Sequence, residues 1–284
     1  MIKKYIKSAE TLIQALPYIK KFNSKTIVLK FGGSVGSKEF SNFANDLVLM
    51  KLVGIHPVVV HGGGSEISKA LSSSGIEIEF VDGLRITCDR TMKIVESVLS
   101  GKINKEIVST IKKNGGSSIG LSGKDDNLLK VKKIKLNKSG VDLGRVGEIS
   151  KVNSKLIVTL NNKGYIPVIS PIGCDNKGFT YNINADHAAS KIASALNAEK
   201  LIMLTDVAGI KDKNNKLISS LNKKSAKTLI KQGTIAKGMI PKVECVISAL
   251  MGGVKKAHII DGRIPHAVIL ETFTDSGIGT EILL

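Results

Sequence analysis

The sequence predicts an α/β protein. Short apolar runs that suit buried strands alternate with segments whose apolar residues recur at helical spacing, the pattern of layered α/β architecture. Two of those runs, Thr26-Ile27-Val28-Leu29 and Pro57-Val58-Val59-Val60, lead into glycine-rich turns, Lys30-Phe31-Gly32-Gly33-Ser34 and Val60-His61-Gly62-Gly63-Gly64-Ser65. With 284 residues, 42% of them hydrophobic, the chain can bury a large core, and one or two domains are expected.

Taken in order, residues 1–24 stand apart: Leu12, Ile13, Leu16 and Ile19 form an apolar stripe on a helix expected to be interrupted at Pro17. Such a helix packs on its own domain or on another subunit. After the first glycine turn, Phe40, Phe43, Ala44, Leu47 and Val48 repeat at helical spacing. After the second, Ile67, Ala70 and Leu71 do so, with Ser65 as the expected N-cap. A longer helix is expected over Val95, Leu99, Ile103, Ile107 and Ile111. Residues 117–150 suggest short strands with glycine turns, a β-rich flap or hairpin. Ser154 to Leu160 suits a helix, Ile166 to Ile169 a strand, and Pro171-Ile172-Gly173 a break and lobe boundary. The layering then repeats. A helix from Asn184 to Asn197 precedes the strand Leu201-Ile202-Met203-Leu204, Pro241 stands where another helix begins, and strands are expected at His258 to Ile260 and Ala267 to Leu270.

Composition excludes several classes. Lys3, Lys4, Lys7, Glu10 and Gln14 break up any N-terminal signal core, and no apolar run nears the roughly 20 residues that span a bilayer, so no membrane association is expected. Cys88, Cys174 and Cys245 are odd in number and lack metal-ligand spacing, which fits free thiols in a reducing cytoplasm. The net charge of +18 raises nucleic acid as a partner. Its distribution argues against one: only Arg85, Arg90, Arg145 and Arg263 are arginines, and the lysines are scattered with few aromatics among them. A basic surface also suits anionic metabolites.

The two glycine turns carry the chemistry. Glycines after a strand let backbone N–H groups approach an anion that a Cβ would obstruct, although a sharp strand-to-helix connection uses glycine as well. A P-loop is disfavoured, because Gly123-Lys124 is followed by Asp125. No HExxH or His/Cys cluster suggests a bound transition metal.

Six motifs occur in an order that resembles the amino acid kinase family: Lys30 to Ser34, His61 to Gly64, Gly83-Leu84-Arg85-Ile86-Thr87, Tyr181-Asn182-Ile183-Asn184-Ala185-Asp186, Leu204-Thr205-Asp206-Val207-Ala208-Gly209-Ile210 and Lys237-Gly238-Met239-Ile240-Pro241-Lys242. Their wording is most similar to the branch that phosphorylates N-acetyl-L-glutamate in arginine biosynthesis. The resemblance implies a three-layer αβα sandwich on a mainly parallel sheet, in two lobes. It divides the chain into an oligomerising helix (1–24), a substrate-binding and dimerising N-lobe (25–173) and an ATP-binding C-lobe (174–284). It implies ATP with Mg²⁺, the metal arriving with the nucleotide. Glutamate 5-kinase, aspartokinase, carbamate kinase and uridylate kinase are the alternatives within the family, and a non-catalytic binding module of the same fold is the alternative outside catalysis.

The resemblance assigns roles residue by residue. Lys30 and Lys242 would neutralise the transferring phosphoryl group, with Asp186 organising both or meeting Mg²⁺ through water. By position alone, Lys242 is equally a solvated lysine and Asp186 equally a helix-dipole partner. Arg85 would hold the substrate's α-carboxylate, Asn182 the same molecule, and Gly63 and Gly64 the reacting carboxylate. Gly32, Gly33, Asp206 and Gly209 would serve ATP, while His61 is expected to be structural. A side-chain carboxylate is already ionised at neutral pH, so the reaction needs charge neutralisation rather than a general base. The terminal segments resemble those of arginine-inhibited members that form homohexamers, trimers of dimers, with Tyr18, Lys211, Glu271 and Gly279 at the effector site. A PII-type signalling partner is a further implication, as is a plastid stroma in place of the cytoplasm for an algal source.

Overall fold

The computed structural model describes residues 2–32, 37–134, 140–236 and 238–284. The first half runs α1 (Ile2–Phe22), β1 (Thr26–Phe31), α2 (Ser37–Leu52), β2 (His56–His61), α3 (Gly64–Ser73), β3 (Phe80–Val81), β4 (Leu84–Arg85), α4 (Asp89–Glu96), a π-helical stretch (Ser97–Ile103), α5 (Asn104–Lys113) and β5 (Ser118–Ser122). It continues through β6 (Leu129–Lys133), β7 (Gly147–Val152), α6 (Lys155–Asn162), β8 (Ile166–Ser170), β9 (Ile172–Cys174), β10 (Thr180–Asn182) and α7 (Ala185–Ala195). The last part is β11 (Lys200–Thr205), β12 (Ser220–Asn222), α8 (Lys223–Lys231), α9 (Met239–Met251), β13 (Lys256–Asp261), α10 (Ala267–Phe273) and β14 (Thr280–Leu283).

Eight strands form one sheet in the order β12-β14-β13-β11-β1-β2-β8-β5, parallel throughout except for the β13–β14 pair. Alternate residues of β1 show the layering. Val28 packs in a cluster with Ala188, Ala189 and Val246 of α7 and α9, whereas Ile27 and Leu29 pack with Phe43, Leu47, Ile107 and Val268 of α2, α5 and α10. Helices therefore cover both faces, which is why the central strands are apolar on both sides. β1 lies between β2 and β11, so the strand order reverses there and a crevice opens beyond the carboxyl ends of the strands. A second sheet, β10-β9-β6-β7, and the β3–β4 hairpin lie apart from the main sheet.

Several expectations are corrected. Ala267 to Leu270 is helical: Leu270 N–H donates to His266 O at 3.0 Å, and Ala267, Val268, Glu271 and Thr272 form the buried face. A four-residue apolar run cannot separate strand from buried helix, and the closing strand is β14. The single long helix is three segments, α4, the π-helical stretch and α5. Only part of 117–150 is flap, because β5 joins the edge of the main sheet. The break after β8 hands the chain from one sheet to the other, since Ile172 begins β9. α1 continues through Pro17 to Phe22. Its last turns are anchored by buried Phe22 and half-buried Tyr18, whereas Ile2, Tyr5, Ile6, Leu12 and Ile13 remain exposed. Among the described residues no helix is long and apolar enough to cross a membrane.

Candidate active site

The crevice at the strand ends holds a carboxylate between two ammonium groups. Asp186 is the second residue of α7, whose N-cap Asn184 accepts hydrogen bonds from the backbone N–H of Asp186 and His187. From there its Oδ1 lies 2.9 Å from Lys30 Nζ, carried near the end of β1, and its Oδ2 accepts a 2.7 Å hydrogen bond from Lys242 Nζ at the start of α9. Burial pushes the Asp186 carboxyl up, but Lys30 and Lys242 outweigh it and hold the group below its ordinary range. The three residues come from sequence positions far apart, and the structure brings them together.

Beside this trio lies a cavity of about 230 Å³, lined by Lys30, Gly63, Gly64, Arg85, Asn182 and Asp186 among others. Gly63 is the N-cap of α3 and supplies no side chain, so the first-turn amides face outward without a side-chain cap, an anion-binding arrangement. Ser65 is therefore inside the helix rather than its cap. The cradle is also packed from behind: a Cβ on Gly63 would stand 2.5 Å from Ile103 Cδ1 and 2.7 Å from Leu99 Cδ2. At Gly64 the space is open.

Arg85 is buried against this cavity, and burial lowers its pKa. Its Nη2 donates to Gly64 O at 3.1 Å and Ser68 Oγ at 2.8 Å, and its guanidinium lies 4.6 Å from the Phe80 ring centre. Nη1 is buried without a hydrogen-bond partner. A buried unsatisfied cationic donor costs free energy, which a carboxylate ligand in the cavity would recover. Asn182 Nδ2 donates to Thr87 Oγ1, which in turn donates to Arg85 O. Ser68, Phe80 and Thr87 were not singled out from the sequence; Thr87 sits inside the Gly83 to Thr87 motif and offered the one available signal.

His61 is fully buried, and burial lowers its pKa to about 4. Its Nδ1 lies 3.0 Å from Gly62 O and its Nε2 3.3 Å from Asn104 Nδ2, an arrangement satisfied by the neutral tautomer that donates from Nδ1. A structural role fits. Of the residues expected to serve ATP, Gly33 lies outside the described residues, as does Lys237. Gly32 is half-buried, and a Cβ there would meet only ordinary contacts. Asp206 is exposed after β11. Gly209 has φ +137°, and a Cβ would stand 2.7 Å from Thr280 Oγ1, so packing alone demands glycine.

A second cavity of about 380 Å³ joins α1 to the C-terminal segment. Tyr18, Glu271 and Gly279 line it together with Lys200 and His258, whereas Lys211 does not; Lys211 pairs by a β-bridge with Leu217 on an exposed loop. His258 Nδ1 lies 2.6 Å from Glu271 Oε1, and Ile278 N–H donates to Glu271 Oε2. Burial pushes the Glu271 carboxyl up, but His258 and the Ile278 amide hold it below its ordinary range. Tyr18 donates to Asp275, tying the helix to the chain end.

The amino acid kinase family model matches residues 25–261. The chain is 51% identical to acetylglutamate kinase of Saccharophagus degradans, covering 96% of this chain and 95% of that one. It is 55% identical to acetylglutamate kinase of Thermoanaerobacter pseudethanolicus, covering 98% and 93%. Among solved structures, N-acetylglutamate synthase from Neisseria gonorrhoeae, complexed with coenzyme A and N-acetyl-glutamate, shares the fold with a TM-score of 0.89 at 24% identity. That match covers 97% of this chain and 63% of the synthase. Carbamate kinase from Giardia lamblia bound to AMP-PNP matches with a TM-score of 0.64 at 16% identity, covering 92% and 98%.

Proposed function

We infer the reaction from a membership these alignments establish: the chain belongs to the amino acid kinase family, and its full-length relatives at about half identity are acetylglutamate kinases. It is a kinase that transfers the γ-phosphoryl group of ATP to the side-chain carboxylate of N-acetyl-L-glutamate, giving N-acetyl-L-glutamyl 5-phosphate for arginine biosynthesis. The observation that carries the mechanism is the Lys30–Asp186–Lys242 trio beside a cavity with an unsatisfied buried arginine.

The acceptor and the γ-phosphate are both anions, so the obstacle is repulsion, and electrostatic stabilisation with in-line positioning is the remedy. Lys30 near the end of β1 and Lys242 at the start of α9 both reach Asp186, which holds their ammonium groups within reach of one point. Arg85 takes the substrate's α-carboxylate with the Nη1 it leaves unpaired, Asn182 bonds the same molecule, and the amides at Gly63 and Gly64 receive the reacting carboxylate. Gly32 and Asp206 serve the nucleotide. Mg²⁺ arrives with the phosphates of ATP. Bound there, the ion neutralises part of the phosphate charge.

Arginine is the effector of the second cavity. Glu271 supplies the carboxylate for its guanidinium and Tyr18 links that cavity to α1, whose exposed apolar residues join dimers into a hexamer. One structural neighbour was solved with L-arginine bound. The chain is expected to work in the cytoplasm. A coupled assay of ADP release tests the reaction with N-acetyl-L-glutamate against glutamate, aspartate, carbamate and UMP. Turnover with N-acetyl-L-glutamate is expected. Preference for another acceptor would overturn the assignment.

A further inference from the structure

We propose that Arg145 is a positioning residue for the amino-acid substrate: it locks residues 143–146 between the two segments that carry Arg85 and Asn182. The proposal rests on the reading above, in which the cavity at Arg85 takes N-acetyl-L-glutamate.

The backbone shows the interposition. Thr87 N–H donates to Leu143 O at 3.0 Å, and Arg145 N–H returns a bond to Thr87 O at 2.6 Å. On the other side Asn182 N–H donates to Arg145 O at 2.8 Å. Thr87 pairs with Gly144, and Val146 with Asn182, as parallel bridges. Gly144 has φ +71°, and a Cβ there would stand 2.4 Å from Thr87 O, so the approach is as close as glycine permits. The spacing between Arg85 and Asn182 across the cavity is therefore held by this short piece of chain, together with the hydrogen bond from Asn182 Nδ2 to Thr87 Oγ1.

The Arg145 side chain repeats this bridging. Its Nε donates to Asp89 at the start of α4, two residues beyond Thr87. Its guanidinium lies 4.3 Å from the ring centre of Phe179 and 5.8 Å from that of Tyr181, which precedes Asn182. Tyr181 is itself held, its hydroxyl donating to Asp175 at 3.0 Å. A planar cation suits both contacts at once, one arm to a carboxylate and one face to aromatic rings. Leu143 and Val146 are buried and anchor the segment from below; Arg145 alone among its side chains grips both flanks.

The test uses Arg145→Ala, Arg145→Lys and Asp89→Asn in the full chain, with initial rates measured as each substrate is varied and amide hydrogen exchange followed at Thr87, Arg145 and Asn182. Loss of an exposed ion pair and a cation–π contact predicts about a five-fold rise in KM for N-acetyl-L-glutamate in Arg145→Ala, with kcat and KM for ATP within about two-fold. Arg145→Lys keeps the charge but not the planar stack and should fall between, as should Asp89→Asn. An unchanged KM for N-acetyl-L-glutamate, or equal rises for both substrates, overturns the proposal. Faster exchange at the three amides in Arg145→Ala supports it, and unchanged protection overturns it. That readout needs no substrate, so it stands even where the wild-type chain fails to phosphorylate N-acetyl-L-glutamate, a result that would sink the activity reading by itself. If Arg145→Ala does not fold, Arg145→Lys carries the same comparison.

Discussion

Replacing Asp186 by asparagine keeps the shape of the side chain and removes its charge from between two lysines. Both nitrogens lie within 3 Å of the carboxylate, at 2.9 and 2.7 Å. A unit pair at about 3 Å attracts by roughly 5 kcal/mol at an effective dielectric of 20 and by about 1.4 kcal/mol at that of water. Desolvation cancels much of this, and Lys242, with 23% of its side chain exposed, is partly screened. A net loss of about 2 kcal/mol follows, which lowers Tm by roughly 4–8 °C in a chain of this size. The catalytic effect is larger. Without the shared anchor the two ammonium groups repel and leave the point where charge develops, so kcat should fall by about 10²–10³ while KM for each substrate changes by less than about three-fold.

The same substitution carries a pH signature. The folded Asp186 carboxyl titrates below its unfolded value. Its contribution is therefore complete above about pH 4 and is lost as pH falls through the folded value. Wild type and Asp186→Asn should differ in unfolding free energy by a constant amount from pH 5 upward, and the gap should narrow in more acid solution. Denaturant titration at several pH values together with steady-state kinetics measures both effects. A variant with kcat within ten-fold of wild type would remove Asp186 from the mechanism. A stability gap that widens as the pH falls would refute the electrostatic account.

Lys30→Ala and Lys242→Ala should each lower kcat by about two orders of magnitude with little change in KM, whereas Arg85→Ala should raise KM for N-acetyl-L-glutamate by about 10–100-fold; initial-rate kinetics separates the two classes, and a near-normal kcat in Lys242→Ala excludes that lysine. His61, buried with a pKa of about 4, takes up its proton more readily when unfolded, so wild-type stability should fall by up to about 3 kcal/mol as pH drops from about 6.5 to 4. His61→Gln should flatten that slope in a urea-unfolding series. Removing residues 1–16 spares Tyr18 and Phe22 and should give an active dimer by sedimentation, while Glu271→Gln should keep turnover and lose inhibition by millimolar arginine; a hexameric truncation, or an arginine-sensitive Glu271→Gln, contradicts the corresponding step.

Residue type and order made much of the site legible. Lys30 and the second glycine turn, Gly62 to Gly64, line the cavity at the strand ends, and Asp186 lies between Lys30 and Lys242. Residue type alone could not separate a bound lysine or a ligand-binding glycine from an ordinary one. Lys242 is no longer one solvated lysine among many once it hydrogen-bonds a buried carboxylate, whereas Gly209 is accounted for by its φ and by Thr280. In the sequence Arg145 stands out only as one of four arginines, because its partners lie 56, 34 and 36 positions away at Asp89, Phe179 and Tyr181. Contacts of that range have no local periodicity.

One local signal was present and misleading. Val95, Leu99, Ile103, Ile107 and Ile111 are spaced by four, and each step of four in a straight α-helix overshoots a full turn by about 40°. Over the whole series the apolar face would rotate by about 160°, turning Ile111 almost away from the side on which Val95 lies. Val95 and Leu99 are buried in one cluster and Ile107 and Ile111 in another, with Ile103 packed against both. The π-helical stretch Ser97–Ile103 lies between these two halves, and its wider turns take up part of that rotation. The series therefore runs over α4, the π-helical stretch and α5 rather than one regular helix. The widening serves the site directly. It lays Leu99 and Ile103 against Gly63, where no Cβ fits, and it returns to α-helix at buried Asn104, whose Nδ2 donates to Val168 O at 2.9 Å and lies 3.3 Å from His61 Nε2. The backbone cradle at Gly63 and Gly64 is therefore set from behind by a helix that departs from α geometry only along the stretch where it passes the cradle.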